Sequence, residues 1–182
     1  MSRARPFLVL LCAFALLQAP GMAGARATQP AALSAGPARA AQAETAIAPR
    51  RLDDILPPAP SVVHLWATWC TPCRRELPEL ARFRQTLPAG LEERMIVISV
   101  DTRQPEDVRQ FLDTELGLPD FRTDLIDAAE AGRRFRITGY PVTLFLDAGG
   151  AEVLRISGAA AWQDGDFRSR VIGHLAGDAS RP

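Results

Sequence analysis

The sequence predicts an α/β fold in which a mixed central β-sheet is flanked by helices. Three observations predict it. Short apolar runs rich in β-branched residues at 62–66, 95–100 and 142–146 read as buried strands. Segments with apolar residues three and four apart lie between these runs, as core-facing helices require. A Gly-containing turn after residue 146 leads into a further strand at 151–156, which makes the last two strands a hairpin.

The elements follow in order. Residues 1–25 have the pattern of a secretory signal: Arg3 and Arg5 give a positive start, residues 7–17 an apolar core, and Ala23-Gly24-Ala25 a small-residue cleavage site. The apolar core is far shorter than the roughly 20 residues that span a bilayer, so cleavage is expected over anchoring. Residues 26–60 are rich in Ala, Pro, Gln and Gly and read as a flexible leader. Residues 61–178 suit one domain with one core. The chain is formally neutral, with no basic stripe interleaved with aromatics, which argues against nucleic acid as a partner. All 21 basic residues are arginine, a compositional bias without evident chemistry.

The strand at 62–66 runs into Trp69-Cys70-Thr71-Pro72-Cys73, where two thiols stand three residues apart at the start of a helix expected over 71–87. At such a helix start, unpaired N–H groups and the positive end of the dipole stabilise a thiolate. A cysteine so placed drops from about 8.5 into roughly the 3.5–7.5 range. Cys70 is therefore the better nucleophile, and Cys73, one turn later, is placed to resolve a mixed disulfide. Pro72 lies in the first turn, where its missing N–H costs nothing. Leu77, Leu80, Phe83 and Leu87 form the apolar face of this helix, and Pro78 is expected to bend it.

A structural zinc site needs a second spaced ligand pair. The chain has three cysteines and two histidines, and Cys12 lies within the signal, so that pair is missing. A structural staple across so small a ring would constrain the unfolded chain little. Redox chemistry is the reading that remains. In an exported chain, a single close pair at a helix start is a chemical device and not a scaffold.

After the strand at 95–100, helices are expected over 105–116, stopped by Gly117, and over 126–135. Gly139-Tyr140-Pro141 precedes the strand at 142–146, a position where a proline gives up no needed donor. A last helix, about 165–175, turns Phe167, Val171 and Leu175 inward.

The stretch from Leu65 through Pro78, with Trp69-Cys70-Thr71-Pro72-Cys73 at its centre, resembles the signature of the thioredoxin superfamily, and within it the TlpA-like thiol:disulfide interchange proteins. The likeness covers about residues 50–176. It implies a thioredoxin-like fold with a TlpA-like helical insertion after Val100. It also implies that Cys70 is the exposed nucleophile and Cys73 its buried partner. Pro141 would be the cis-proline packed on the disulfide, with Tyr140 offering its backbone to an extended substrate. Glu76 matches an acidic residue that tunes the thiols and could accept the Cys73 proton; a solvated helix glutamate is the alternative.

His64 departs from the family pattern, which has an aspartate or amide residue there, and a satisfied core histidine is the plainer reading. Arg74 and Arg75 read as a solvated face. Trp69, with Thr71, Pro72 and Tyr140, would form the substrate-contacting surface, and Trp66 a core ring.

The resemblance implies a periplasmic reductase of protein disulfides, without a cofactor, acting as a monomer and recharged by a membrane electron-donor thiol protein. Cytochrome c maturation is one family role, though Val142 stands where its dedicated members carry an acidic residue. Oxidase assembly is another setting. A disulfide-donating oxidase and a copper-holding metallochaperone stay open as alternatives. A peroxidase would need a threonine where Ala67 stands.

Overall fold

The computed structural model describes residues 47–178. The signal expected over 1–25, with Cys12, and the leader residues 26–46 lie outside the described residues. For residues 47–60 the expectation of a loose leader is corrected. Ile47 and Leu52 are buried in the core, and a 3₁₀ turn (Leu52–Asp54) opens on Leu52. Pro49 bridges to Leu125, the Arg50 N–H donates to Leu125 O at 2.9 Å, and the Leu52 N–H donates to Glu130 Oε1 at 3.0 Å. Composition averaged over the whole leader hides this, because two apolar anchors and backbone pairing are enough to dock an otherwise Ala- and Pro-rich segment.

Five strands form one sheet in the order β3-β2-β1-β4-β5. They are β1 (Ser61–Trp66), β2 (Met95–Ser99), β3 (Asp124–Leu125), β4 (Val142–Leu146) and β5 (Glu152–Ser157). Every residue of β1, β2 and β4 is buried, so both faces of the sheet centre are covered, which explains why these strands read as continuous apolar runs. β1 pairs parallel with β2 and antiparallel with β4, so the sheet is mixed as expected. The hairpin β4–β5 turns through Asp147, whose Oδ1 accepts the N–H groups of Gly149 and Ala151 at 2.9 Å each.

The helices are α1 (Thr71–Arg84), α2 (Pro105–Gln110), α3 (Ala128–Phe135) and α4 (Gly165–Ala176). Three boundaries differ from the sequence reading. α1 stops at Arg84, and Thr86 and Leu87 form a turn in which the Thr86 N–H donates to Phe83 O at 2.9 Å. The single helix expected over 105–116 is α2 followed by a π turn (Phe111–Glu115), closed where the Leu116 N–H reaches Phe111 O at 3.3 Å. Gly117 follows at φ +65°, a conformation open to glycine without a Cβ penalty. The helix expected from 126 begins at Ala128, since Asp127 caps it by accepting the Glu130 N–H at 3.0 Å, and Leu125 is already in β3. α1 runs through Pro78, which withholds the donor that Arg74 O would otherwise receive.

This topology gathers three chain segments at one end of the sheet. β1 and β2 are parallel, so Trp66 and Ser99 end together, and the Val100 N–H donates to Trp66 O at 2.9 Å. β4 runs the other way, with Val142 opposite Leu65, so the start of β4 meets the end of β1. The motif at 69–73 thus leaves the central strand of the sheet and not one of its edge strands.

Candidate active site

Cys70 and Cys73 are bonded to each other, with an S–S distance of 2.04 Å and Cα atoms 5.2 Å apart. Cys70 is the N-cap of α1, in extended conformation, and its Sγ accepts the Cys73 N–H at 3.3 Å. Thr71 and Pro72 make the first turn between the sulfurs. Cys70 keeps 5% of its surface exposed and Cys73 none, so Cys70, expected to be exposed, is itself largely buried in the oxidised pair and is only the more accessible of the two. Trp69 beside it is 57% exposed and stands edge-on to the half-buried Tyr140, ring centres 5.7 Å apart. The Tyr140–Pro141 peptide bond is cis, and Pro141 is buried.

The loop between β1 and the cysteines is tied down from β2. The Thr68 N–H donates to Asp101 Oδ2 at 2.7 Å and the Thr68 hydroxyl donates to the same oxygen; the Asp101 N–H donates to Ser99 Oγ at 3.2 Å. Thr68 and Asp101 are both buried. A buried carboxylate with a backbone and a hydroxyl donor is a rigid anchor, and here it fixes the turn that presents Cys70.

One turn beyond Cys73, on the same side of α1, Glu76 is buried. Its Oε2 accepts the Ala160 N–H and its Oε1 the Trp162 Nε1–H, each at 3.1 Å. Burial pushes its carboxyl up to about 7, against these two donors, with Glu79 adding a smaller push in the same direction. His64, fully buried on β1, sets Nδ1 3.0 Å from Thr143 Oγ1 and Nε2 3.2 Å from Glu76 Oε1, the latter without the alignment of a hydrogen bond. Desolvation pushes His64 down to about 3, so the contact is not an ion pair near neutral pH. Glu76 is thus no solvated helix glutamate, and both ring nitrogens of His64 face protein groups.

Arg74 and Arg75 are exposed, as expected of a solvated face, although Arg74 also pairs with Glu115 at 2.8 Å and lies over the Phe111 ring. Trp66 is a core ring beside Phe111, its Nε1–H donating to Thr123 Oγ1 at 3.0 Å. His174 sits at the opposite end of β1, its Nε2 2.9 Å from Leu146 O and 3.2 Å from Ser61 O. Among the described residues, no group of three or more His, Cys, Asp or Glu side chains is arranged to hold a metal ion.

The sequence reading passed over Asp101, Thr143 and Trp162. Asp101 had a signal, since it follows the strand parallel to β1 and so ends at the same edge. Thr143 lies directly opposite His64 in the β1–β4 register, which follows once that pairing is known. Trp162 arrives on the connection between β5 and α4 and carries no local signal.

The chain is similar to several known proteins. The chain is 31% identical over 97 residues to the thiol:disulfide interchange protein HelX of Rhodobacter capsulatus, covering 53% of this chain and 51% of that protein. It is 27% identical over 118 residues to the thiol:disulfide interchange protein DsbE homolog of Paracoccus denitrificans, covering 65% and 60%. It spans about half to three fifths of the length of these curated relatives. The crystal structure of a thiol:disulfide interchange protein of the thioredoxin family from Chlorobium tepidum superposes with a TM-score of 0.50 at 26% identity, over 65% of this chain and 81% of that one. The AhpC/TSA family model matches residues 35–156, well over half of the 182. With its thioredoxin-like sheet and a Cys-x-x-Cys pair at the head of α1, the chain belongs to the AhpC/TSA family.

Proposed function

We propose that this chain is an exported thiol:disulfide oxidoreductase that acts chiefly as a reductase of protein disulfides. The observation that carries the reading is the bonded Cys70–Cys73 pair at the start of α1, with Cys70 the more accessible of the two. The relatives named thiol:disulfide interchange proteins support the same chemistry. Export is read from the signal pattern of residues 1–25, and the periplasm is the compartment this reading takes.

In the reduced enzyme the Cys70 thiolate attacks one sulfur of a substrate disulfide. A Cys70–substrate S–S bond forms, and the substrate's second sulfur leaves as a thiolate that takes a proton from water. Cys73 then gives its proton to the Glu76 carboxylate and attacks Cys70 Sγ. The Cys70–Cys73 bond forms, and the substrate leaves with both sulfurs reduced. Trp69, Thr71, Pro72 and Tyr140 form the surface on which an extended substrate segment lies, with Pro141 packed against the disulfide beneath it. The disulfide is returned to the dithiol by a membrane electron-donor thiol protein, because an oxidising compartment supplies no reductant of its own. Exported proteins with surface disulfides are the substrates, and cytochrome c maturation or oxidase assembly are settings in which such a reductase serves.

Equilibration against defined thiol/disulfide buffers tests the direction. A potential near about −270 mV supports a donor-fed reductase, while one near about −120 mV makes the protein an oxidase. A Cys73→Ser variant should hold substrates on Cys70 as mixed disulfides. Failure to trap any would count against the exchange mechanism.

A further inference from the structure

The contacts of Glu76 are unequal in kind. Ala160 N–H and Trp162 Nε1–H are both donors, so both satisfy an ionised carboxylate. A protonated carboxyl needs instead an acceptor for its own O–H. Among the described contacts of Glu76, the atom able to accept is His64 Nε2, which lies 3.2 Å from Oε1, is fully buried and has no hydrogen-bond partner of its own. An orphaned ring nitrogen in the interior is destabilising, so its persistence 3.2 Å from a titrating carboxyl calls for a reason.

We infer that His64 is a positioning residue for Glu76: its Nε2 receives the proton of the neutral Glu76 carboxyl, while its Nδ1–H donates to Thr143 Oγ1 and fixes the ring. The inference rests on the reading of Glu76 as the acceptor of the Cys73 proton and adds where that proton is held. The balance is simple. Cys73–SH and Glu76–COO⁻ become Cys73–S⁻ and Glu76–COOH, and the new O–H points to His64 Nε2. No electron moves in this step. When the next reduction regenerates the Cys73 thiol, the proton returns.

The surroundings allow this arrangement. On α1 the charged neighbour is Glu79, whose effect raises the proton affinity of Glu76. β4 presents the uncharged Thr143, and the connection before α4 presents the Ala160 N–H and the Trp162 ring. From α4, Phe167 packs on Trp162 with ring centres 5.2 Å apart and brings no charge. The Cys70 and Cys73 thiols are the remaining titrating groups at the site in the reduced state. Burial already holds His64 neutral, which leaves its ring free to accept.

The test follows the Glu76 carboxyl carbon by NMR in the reduced full chain across pH 5–9, the signal being assigned by its loss in Glu76→Gln. Resolution of a preformed mixed disulfide on Cys70 is timed over the same range. His64→Leu should lower the Glu76 midpoint by one pH unit or more and move the break in the resolution rate with it. Thr143→Val, which frees the ring but keeps Nε2, should lower it by less. His64→Gln, whose amide oxygen can accept, should restore part of the shift; this variant retains a polar group should His64→Leu fold poorly. An unmoved midpoint in both His64 variants would overturn the role of His64 while leaving Glu76 as base. A carboxyl that stays ionised while the His64 ring carries the proton would overturn it too. If Glu76→Gln leaves the rate profile unchanged, the reading of Glu76 as base falls and the inference with it.

Discussion

Thr68 and Asp101 lock the approach to the cysteines from the adjoining ends of two parallel strands: the Thr68 N–H donates to Asp101 Oδ2 at 2.7 Å, and the Thr68 hydroxyl donates to the same atom. Both residues are buried, so water cannot replace either bond. Asp101→Ala leaves two buried donors without an acceptor and should cost about 2–4 kcal/mol of stability, read as a lower urea midpoint. Asp101→Asn keeps an acceptor oxygen and should lose less than half as much. Because the anchor sits two residues before Cys70, the alanine variant should also slow disulfide exchange. A stability change under about 0.5 kcal/mol would mean that the turn is held by other contacts.

The pH dependence of stability follows from two opposed shifts. The folded protein keeps a proton on Glu76 up to about 7, whereas an unconstrained carboxyl gives it up near 4.5, so stability falls as pH rises between these values. Folded His64 refuses a proton down to about 3, whereas the unfolded ring accepts one near 6.5, so stability falls as pH drops between these values. From pH 4.5 to 6.5 the two slopes oppose each other and stability should be nearly flat, with losses below 4.5 and again from 6.5 to 7. Glu76→Gln removes one slope, so stability should then climb from pH 3 to 6.5 by on the order of 5 kcal/mol, measured by urea unfolding of the oxidised protein. A flat profile in that variant would mean that His64 titrates in the folded state.

Trp162→Phe tests the other side of the same carboxyl. The ring is retained to pack on Phe83, whose centre lies 5.6 Å away, but the Nε1–H donor to Glu76 Oε1 is lost. That donor favours the ionised form, so its loss should raise the Glu76 midpoint above about 7, opposite to the shift expected of His64→Leu. The stability cost should be about 1–2 kcal/mol from the smaller ring and the lost bond. NMR titration of the carboxyl decides it, and a downward movement would mean that the indole acts mainly by excluding water.

How much of this was legible in the sequence depends on range. The strands at 62–66, 95–100 and 142–146 were readable because burial on both faces leaves an unbroken apolar run, and Cys70 and Cys73 because spacing and helix position carry their chemistry directly. β3 is two residues long and offers no period to detect, and the π turn at Phe111–Glu115 keeps the apolar spacing of an ordinary helix. Glu76 was legible as a candidate, but the sequence left its burial and a solvated helix position both open. Its burial depends on Trp162, 86 positions away on a connection without regular structure. The docking of residues 47–52 failed to register for a similar reason, since Pro49 and Arg50 pair with Leu125 on β3 and Leu52 with Glu130 on α3.

Trp69→Ala separates surface recognition from chemistry. The indole is 57% exposed and makes an edge contact with Tyr140 at 5.7 Å, so its removal should cost the fold less than about 1 kcal/mol. Neither thiol loses a bonding partner, and the Cys73 N–H still reaches Cys70 Sγ. The reduction potential should therefore stay within about 15 mV of the parent, at most about a threefold change in the equilibrium constant. Reduction of a small soluble disulfide should keep its rate, because such a molecule needs only Cys70. Reduction of a folded protein disulfide should slow about tenfold, as expected when roughly 1.4 kcal/mol of contact at the rim of the site is lost. Equal slowing on both substrates would assign Trp69 to the reactivity of Cys70 itself, and no slowing on either would remove it from the substrate surface.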